Sequence, residues 1–383
     1  TGTGFVGINP IHAGFPMAPD AYSPYAPSHR RRLNILHLPC AQDTAGRDTP
    51  LVDYAASIAD RVAYQEEAFI AARPAPAFEA FLTEGGADLK LFALHQALSD
   101  RYGAFWDRWP AGLRDPASGD ATDFAVAHPE RLRYHAWLQW SADCALRQVA
   151  QAADDTGMRH GLYLDLAVGT HPFGAETWAE PAQFARGASL GAPPDAFAAD
   201  GQVWGLAPFN PVTLAATGFA ALAETLRCQF RYARLLRIDH ILGFERAFWV
   251  PTDGGLPGAY VTMPRDAMLA VTRIEAARAG AKVIGEDLGN IPDGLQDAMA
   301  ASGLLGCRIA QFEREKDAGF RPASGYPVAT LAAFGTHDLP TYRGWRTGRD
   351  IALRADLGMI DADVAHCEHG DACERFVHFP QLD

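Results

Sequence analysis

The sequence predicts an α/β fold in which parallel strands close into a (β/α)8 barrel. Short apolar runs of strand length alternate with longer segments of helical periodicity, the pattern of a parallel sheet covered by helices on both faces. The chain has 383 residues, of which 48% are hydrophobic, and this length suits one large barrel with insertions.

Six apolar runs are predicted as strands: "FVGINP" (5–10), "LYLDLAVG" (162–169), "LLRIDH" (235–240), "KVIGED" (282–287), "CRIAQFE" (307–313) and "VATLAAFGTHD" (328–338). Amphipathic helices are predicted over 213–233 and 266–279, and Gly280 is placed to end the second. A barrel of this class has eight strands, so two are missing from this count.

The segment from about residue 40 to 160 differs from the rest because it is helical in pattern and rich in Trp and Phe, as in "YGAFWDRWP". It predicts a helical insertion within one barrel domain that spans 1–383. The stretches "GAPPDAF" (191–197) and "GLAPFNP" (205–211) are predicted as Pro/Gly loops.

Charge and hydropathy narrow the class of partner. The formal net charge is −13, and the longest basic run is "HRRR" (29–32), so binding to nucleic acid is not expected. No apolar run approaches the roughly 20 residues of a membrane span, so no membrane association is expected. A neutral or cationic small substrate suits this negative net charge better than an anionic partner does.

The six cysteines are scattered without a Cys-x-x-Cys pattern, which is typical of a reducing compartment and predicts a cytoplasmic protein. One local cluster combines His366, Cys367, His369 and Cys373. Its spacing matches no standard zinc site, so we expect a solvated loop there rather than a metal centre.

Four acidic residues, Asp165, Asp239, Glu286 and Asp338, lie in or just after the C-terminal ends of apolar runs. In a parallel barrel these ends share one face, where the following loops build the active site. Each residue could instead cap a helix, since Asp is a favoured N-cap. The convergence of four carboxyl groups is the observation that points to a site.

Two carboxyl groups that flank a scissile bond are the minimum for glycoside chemistry. Glu286 follows a buried strand and neighbours Asp287, which suits a general acid with a raised pKa, and the flanking glycines would let a bulky substrate approach. Arg237 projects to the same side of its strand as Asp239 and could hold it ionised, although a purely structural ion pair would have the same spacing.

Clustered Asp and His residues could instead bind a metal ion. His240, His337 and Asp338 lack the i,i+4 histidine spacing of a zinc helix, and a histidine beside an aspartate is more often a hydrogen-bond donor. No phosphate-binding glycine loop of known type is present.

The motifs "RIDH", "VIGEDLG" and "FGTHDLPT", in this order and each at a strand end, resemble the 4-α-glucanotransferases, also called amylomaltases or disproportionating enzymes. This family belongs to the α-amylase-like clan of TIM-barrel enzymes. "GINPIHAGFP" followed by "YSPYAPSHRRRLN" is similar to its longer bacterial form. The resemblance covers almost the whole chain.

The resemblance implies three catalytic carboxyl groups: Asp239 as nucleophile, Glu286 as general acid/base and Asp338 as the acid that binds and distorts the sugar. It also implies substrate-binding roles for Arg237, His240, His337, Asp165, Gln202, Trp204, Tyr25 and Ser23. It implies α-1,4-glucans and maltooligosaccharides as partners, with no cofactor and no metal. Trp204 could instead fill the core, Tyr25 could anchor its loop, and Asp165 could cap a helix.

The implied reaction transfers an α-1,4-glucan segment to the 4-hydroxyl of an acceptor sugar by retaining double displacement through a covalent glucosyl-aspartate. A hydrolase of the same clan and a truncated glucan-binding fragment without turnover are the alternatives. By the resemblance the four acids belong to barrel strands three, four, five and seven. Strands one and eight are then missing, and we expect the sequence to be an internal piece of a longer protein.

Overall fold

The computed structural model describes residues 2–40, 52–73, 75–194, 198, 200–315 and 319–378, with side chains up to residue 370. Contacts between Cα atoms divide the chain into two compact units, Thr1–Leu304 and Leu305–Asp383. Each is described by itself.

The strands of the first unit are β1 (Phe5–Gly7), β2 (His12–Ala13), β3 (His29–Leu33), β4 (Gly161–Leu166), β5 (Ala188–Ala192), β6 (Gln202–Leu206), β7 (Leu235–Ile238), β8 (Arg246–Pro251), β9 (Ala259–Thr262) and β10 (Lys282–Gly285). Its helices are α1 (Tyr54–Ala71), α2 (Pro76–Tyr102), α3 (Gly119–Ala127), α4 (Pro129–Asp155), α5 (Ala175–Ala179), α6 (Pro211–Ala216), α7 (Ala220–Phe230), α8 (Arg265–Ala279) and α9 (Leu295–Ala301).

A four-stranded parallel sheet in the order β1-β4-β7-β10 forms the centre of this unit. Four of the six predicted strands are thereby confirmed. Leu164, Leu236 and Ile284 are at most 1% exposed because β4, β7 and β10 are covered on both faces, whereas Val6 of the edge strand β1 is 41% exposed. Since the strands are parallel and in register, the residues that follow β4, β7 and β10 emerge at one edge.

Helices α7 and α8 pack against each other and against this sheet, and Leu226 and Leu269 are buried in the shared core. Gly280 ends α8 in the left-handed conformation at φ 62°, as predicted. The predicted single helix over 213–233 is wrong. Gly218 and Phe219 both adopt positive φ, which an α-helix cannot accommodate, and they separate α6 from α7.

The segment rich in aromatic residues contains α1 to α4, of which α2 and α4 pack closely together. "YGAFWDRWP" is not helical throughout: it leaves α2 at Gly103 and forms a 3-10 turn at Trp106–Arg108. Trp109 is fully buried there and donates its indole N–H to the carbonyl of Gly103. Residues 41–51 and 74 of this segment lie outside the described residues.

A second sheet, antiparallel in the order β6-β5-β8-β9, was not predicted. Gln202 and Trp204 lie on β6, which also takes in the first two residues of "GLAPFNP", so the predicted loop begins too early. The reason is pairing: β5 supplies backbone partners to a short Val- and Trp-containing stretch that is too brief to show a periodic pattern.

The basic run "HRRR" lies in β3, and its first arginine, Arg30, makes a buried ion pair. Arg30 and Glu176 are 3% and 2% exposed, and the guanidinium donates to both carboxylate oxygens at 2.9 and 3.2 Å. The backbone N–H of Arg30 also donates to Glu176 at 2.9 Å.

Glu176→Ala is expected to destabilise the chain by about 3–5 kcal/mol, because it leaves a buried guanidinium uncompensated. The free energy of unfolding, measured with urea, checks this. Glu79→Ala, which removes the acid of the partly exposed pair with Arg133, is the control and should cost much less. An equal loss in the two variants would contradict the prediction.

The second unit contains β11 (Gly306–Ile309), β12 (Thr330–Ala333), α10 (Tyr342–Arg346), α11 (Arg349–Asp356) and α12 (Ala362–His378). Strands β11 and β12 pair in parallel, which confirms the last two predicted strands. His366, Cys367 and His369 lie on α12, so the predicted loop is wrong. Asp361 caps this helix by accepting from the N–H of Val364 at 2.8 Å. The Cys373 side chain lies outside the described residues.

Two features are absent from the part of the chain that the structure describes. No group of three or more His, Cys, Asp or Glu side chains is arranged to hold a metal ion. Likewise, none of the described helices has the length and apolar composition needed to cross a membrane.

Candidate active site

Three carboxyl groups meet at the C-terminal edge of the parallel sheet. Asp165 is the fifth residue of β4, Asp239 directly follows β7, and Glu286 directly follows β10. The ladder continues past the strands: Asp239 N–H donates to the carbonyl of Leu166 at 3.1 Å, and Glu286 N–H donates to that of Ile238 at 3.0 Å. The sheet itself therefore sets where these side chains begin.

Arg237 binds two of these carboxylates. It lies opposite Asp165 in register, and its Nη1 atom contacts both Asp165 oxygens at 2.7 and 2.8 Å. Its Nη2 atom is 2.7 Å from Asp239 Oδ1. Burial lowers the pKa of the Arg237 guanidinium, but the negative charges of Asp239 and Asp165 raise it by more, so the net shift is upward. The arrangement stabilises Asp239 in its ionised form.

Tyr25 joins this network from a loop distant in sequence. Its hydroxyl donates to Asp165 Oδ2 at 2.6 Å. Burial and the neighbouring Asp165 raise the pKa of Tyr25, so the hydroxyl keeps its proton and remains a donor. Ser23 is exposed and accepts from the backbone N–H of Tyr25 at 3.3 Å, which shapes the turn.

Glu286 has the environment of a general acid. Burial and the negative charge of Asp239 raise the pKa of its carboxyl to about 7, against the lowering effects of Arg237 and of the backbone N–H groups of His240 and Leu288. One carboxyl thus keeps a proton near neutral pH beside another that Arg237 holds ionised. Such a pair divides the acid and nucleophile roles between two carboxyl groups.

His240 is one of two described non-glycine residues with positive φ, at φ 47° and ψ 55°. This left-handed conformation directs its backbone N–H to Glu286 Oε2 at 2.9 Å. Burial lowers the pKa of the imidazole to about 4, so the ring is neutral at pH 7. The ring contacts Trp204 edge-on at 5.0 Å, and the Trp204 indole N–H donates to Gln202 Oε1 at 3.0 Å.

An apolar cavity of about 60 Å³ adjoins Asp239 and His240. Trp204 lines it together with Pro208 and Phe209, which belong to "GLAPFNP", and with Trp249. The site therefore combines an ionised carboxylate, a protonated carboxyl and an apolar aromatic wall.

A family model described as 4-alpha-glucanotransferase matches residues 1–376. The chain belongs to this 4-α-glucanotransferase family. It is 36% identical to a 4-alpha-glucanotransferase of Mycobacterium tuberculosis (strain H37Rv) over 95% of its own length and 55% of the relative. The corresponding protein of Haemophilus influenzae is 30% identical over 95% of the chain and 58% of the relative. The chain therefore spans somewhat more than half the length of these relatives.

Solved structures agree with this membership. An amylomaltase from Corynebacterium glutamicum aligns with a TM-score of 0.83 and 30% identity, covering 96% of the chain and 54% of that structure. An amylomaltase from Streptococcus agalactiae in complex with acarbose aligns at 0.79 and 21% identity, over 94% and 77%. The predicted α/β fold of the TIM-barrel class is thereby confirmed, whereas the missing strands one and eight stay a prediction.

The remaining acid of the family motifs, Asp338, lies in the second unit beside His337. The two side chains are 76% and 37% exposed, and His337 Nε2 is 3.3 Å from Asp338 Oδ2. They follow β12, as the sequence predicts, and their roles in catalysis and sugar binding stay predictions.

The expectation that the glycines of "VIGEDLG" make room for a substrate is wrong for Gly285. A Cβ atom at Gly285 would come within 2.8 Å of Ile241 and within 2.6 Å of Met299. This glycine therefore makes room for core packing and not for a substrate. The sequence analysis considered Asp287 only as an acidic neighbour of Glu286, but the anion that raises the pKa of Glu286 is Asp239, whereas Asp287 is 1% exposed and accepts from Gln296 Nε2 at 2.6 Å. Its place in an acidic motif beside Glu286 was the only available signal.

The conformation of His240 yields a prediction about Glu286. His240→Val, whose branched side chain disfavours positive φ, should withdraw the N–H from Glu286 and raise the pKa of its carboxyl further. His240→Gly keeps this conformation at no steric cost and should leave that pKa near 7. The alkaline limb of the pH dependence of kcat/KM measures the difference. Identical limbs in the two variants would show that the backbone donor is unimportant.

Proposed function

We propose that the protein is a 4-α-glucanotransferase, which transfers an α-1,4-glucan segment from a donor glucan to the 4-hydroxyl of an acceptor glucose or maltooligosaccharide. The observation that carries this proposal is the pairing of Glu286, with a pKa of about 7, and Asp239, held ionised by Arg237 at 2.7 Å. A protonated and an ionised carboxyl at one sheet edge are the two groups that retaining glycoside chemistry needs.

In the first step, Glu286 gives its proton to the glycosidic oxygen while the Asp239 carboxylate attacks the anomeric carbon. The bond from that carbon to the glycosidic oxygen breaks, the leaving glucan departs with the proton, and a glucosyl-aspartate ester forms. Arg237 would keep Asp239 ionised before attack, and its second contact, to Asp165, holds the guanidinium in place.

In the second step, the Glu286 carboxylate takes the proton of the acceptor 4-hydroxyl, and that oxygen displaces Asp239 from the anomeric carbon. Configuration is retained because two inversions cancel. Transfer requires that the acceptor sugar outcompetes water at the ester. The aromatic wall of Trp204, Phe209 and Trp249 beside Asp239 supports this, since apolar cover excludes water.

The other site residues take roles at the sugar. Tyr25, with Ser23 in its turn, would place an aromatic ring under the donor sugar, and Trp204 with Gln202 would border the cleft. His240, neutral at pH 7, would bond sugar hydroxyls, and we propose the same for His337. Asp338 would bind and distort the sugar in the family's manner. The scattered cysteines favour the cytoplasm as the location.

Incubation of the chain with maltotriose tests the proposal. Transfer gives glucose and longer oligosaccharides with no net gain in reducing ends. A rise in reducing ends without longer products would instead indicate the hydrolase of the same clan. Binding of maltooligosaccharides without any product would identify a glucan-binding fragment and contradict the proposal for this chain.

A further inference from the structure

A second cavity, of about 170 Å³, opens between β3, α2 and α7 and shares no lining residue with the cavity beside Asp239. Its lining is strongly charged and contains four arginines and three acids: Arg31, Arg32, Arg227, Arg231, Glu84, Asp88 and Glu224. The mechanism above uses none of these residues.

Two of the arginines are already neutralised. Arg31 binds Glu180 at 2.5 Å and Glu224, an acid of the lining, at 2.6 Å. Arg227 binds Glu275, outside the lining, through two hydrogen bonds of 2.8 Å each. Neighbouring carboxylates therefore balance the charges of these two arginines.

The other two arginines have no such partner. Within the described residues, neither the Arg32 nor the Arg231 side chain makes a hydrogen bond or an ion pair, although the backbone N–H of Arg231 donates to Gln229 at the end of α7. The Nε atom of Arg32 is buried, and its guanidinium lies 5.8 Å from the centre of the Phe92 ring. Burial lowers the pKa of Arg32, the like charges of Arg31 and Arg231 lower it further, and the nearby Cys228 and Asp88 offset only part of this shift. A bound anion would offset both costs.

The backbone adds to this positive field. Helix α2 is interrupted at Gly86, which has φ 51° and ψ −139°. The helical segment that continues to Tyr102 therefore begins at the cavity wall, where Gly85 and Asp88 are lining residues. The N-terminal end of a helix carries partial positive charge and N–H groups that favour anions.

The acids Glu84 and Asp88 are exposed and belong to the same lining. Carboxylates accept hydrogen bonds from sugar hydroxyls, whereas they would repel a ligand that is anionic throughout. The lining thus contains guanidinium groups that suit a phosphate and carboxylates that suit hydroxyl groups.

We propose that this cavity binds the phosphate monoester of a sugar, with the phosphate between Arg32 and Arg231 and the sugar hydroxyls toward Glu84 and Asp88. The proposal is independent of the transfer reaction. It assigns to the chain a second carbohydrate site that selects phosphorylated sugars from neutral glucans.

Isothermal titration calorimetry at low ionic strength tests this with glucose 6-phosphate, inorganic phosphate and glucose as separate probes. We expect glucose 6-phosphate to bind with a dissociation constant below about 1 mM. Arg32→Gln and Arg231→Gln should each weaken binding about tenfold or more, since each removes a charged hydrogen-bond donor. Arg273→Gln, which changes an exposed arginine of α8 that lines neither cavity, is the matched control and should have no effect.

Equal or tighter binding of inorganic phosphate would overturn the assignment to a sugar ester and leave a site for free phosphate. No binding of any anion, or binding that Arg32→Gln and Arg231→Gln leave unchanged, would overturn the site itself. Arg231 is exposed at the end of α7, so its variant folds even if Arg32→Gln does not.

Discussion

Asp239→Asn is expected to abolish glucan transfer, with a fall in turnover of at least about 10⁴-fold, because loss of the nucleophile removes the covalent route. The asparagine has the same shape but carries no charge with which to attack the anomeric carbon. Arg237 keeps both contacts to Asp165, so we expect the fold and the binding of maltooligosaccharides to survive. The rate of maltotriose disproportionation measures the loss.

Asp253→Asn is the matched control for that experiment. Asp253 is an exposed aspartate of the same unit, and among the described residues its side chain accepts only from the N–H of Gly255, a bond that asparagine reproduces. The activity of the Asp253→Asn variant should equal that of the parent chain. Turnover of Asp239→Asn within tenfold of the parent would refute the nucleophile assignment.

Glu286→Gln is expected to lower turnover by about 10²–10⁴-fold, the usual contribution of a general acid/base. In the parent chain the carboxyl must be protonated for the first step, so activity should fall as the pH rises through about 7. This alkaline limb should be absent in the glutamine variant, since glutamine does not titrate. If the glutamine variant still loses activity as the pH rises through about 7, another group causes this loss.

The same residue should make the protein less stable at alkaline pH. The pKa of Glu286 is about 7 in the folded chain, against an ordinary 4.5. Between these values the unfolded chain releases the proton first, so raising the pH through this window favours unfolding. Above about pH 7 the cost is constant at up to about 3 kcal/mol.

Glu286→Gln removes this cost, because its side chain is neutral in both states. We therefore expect the variant to be more stable than the parent chain at pH 8 and nearly equal to it at pH 4.5. Urea unfolding at the two pH values measures the change. An unchanged difference between variant and parent would contradict the raised pKa.

The parallel strands and the positions of Asp239 and Glu286 could be predicted from the sequence because both depend on local pattern. A continuous apolar run is a covered strand, and a carboxyl group directly after it emerges at the strand end, as Ile238 and Gly285 show. The family motifs then distinguished these acids from helix caps. Neither prediction required knowledge of which residues, distant in sequence, pack together.

Other features were decided by tertiary contacts. The strand with Gln202 and Trp204 exists because β5 pairs with it, and Gly285 is needed because Ile241 and Met299 fill the adjacent space. No local pattern encodes either neighbour. The left-handed backbone of His240 is equally invisible in a sequence, since only the surrounding structure holds a non-glycine residue there.

The sequence by itself determined which residue types stand at the strand ends, and hence the class of chemistry. Only the tertiary structure decided the state of each group: the charge of Arg237 divided between Asp165 and Asp239, and the proton kept on Glu286. The physical reason is that a pKa depends on burial and on charges within a few ångströms. Those charges come from strands that lie tens of residues apart along the chain.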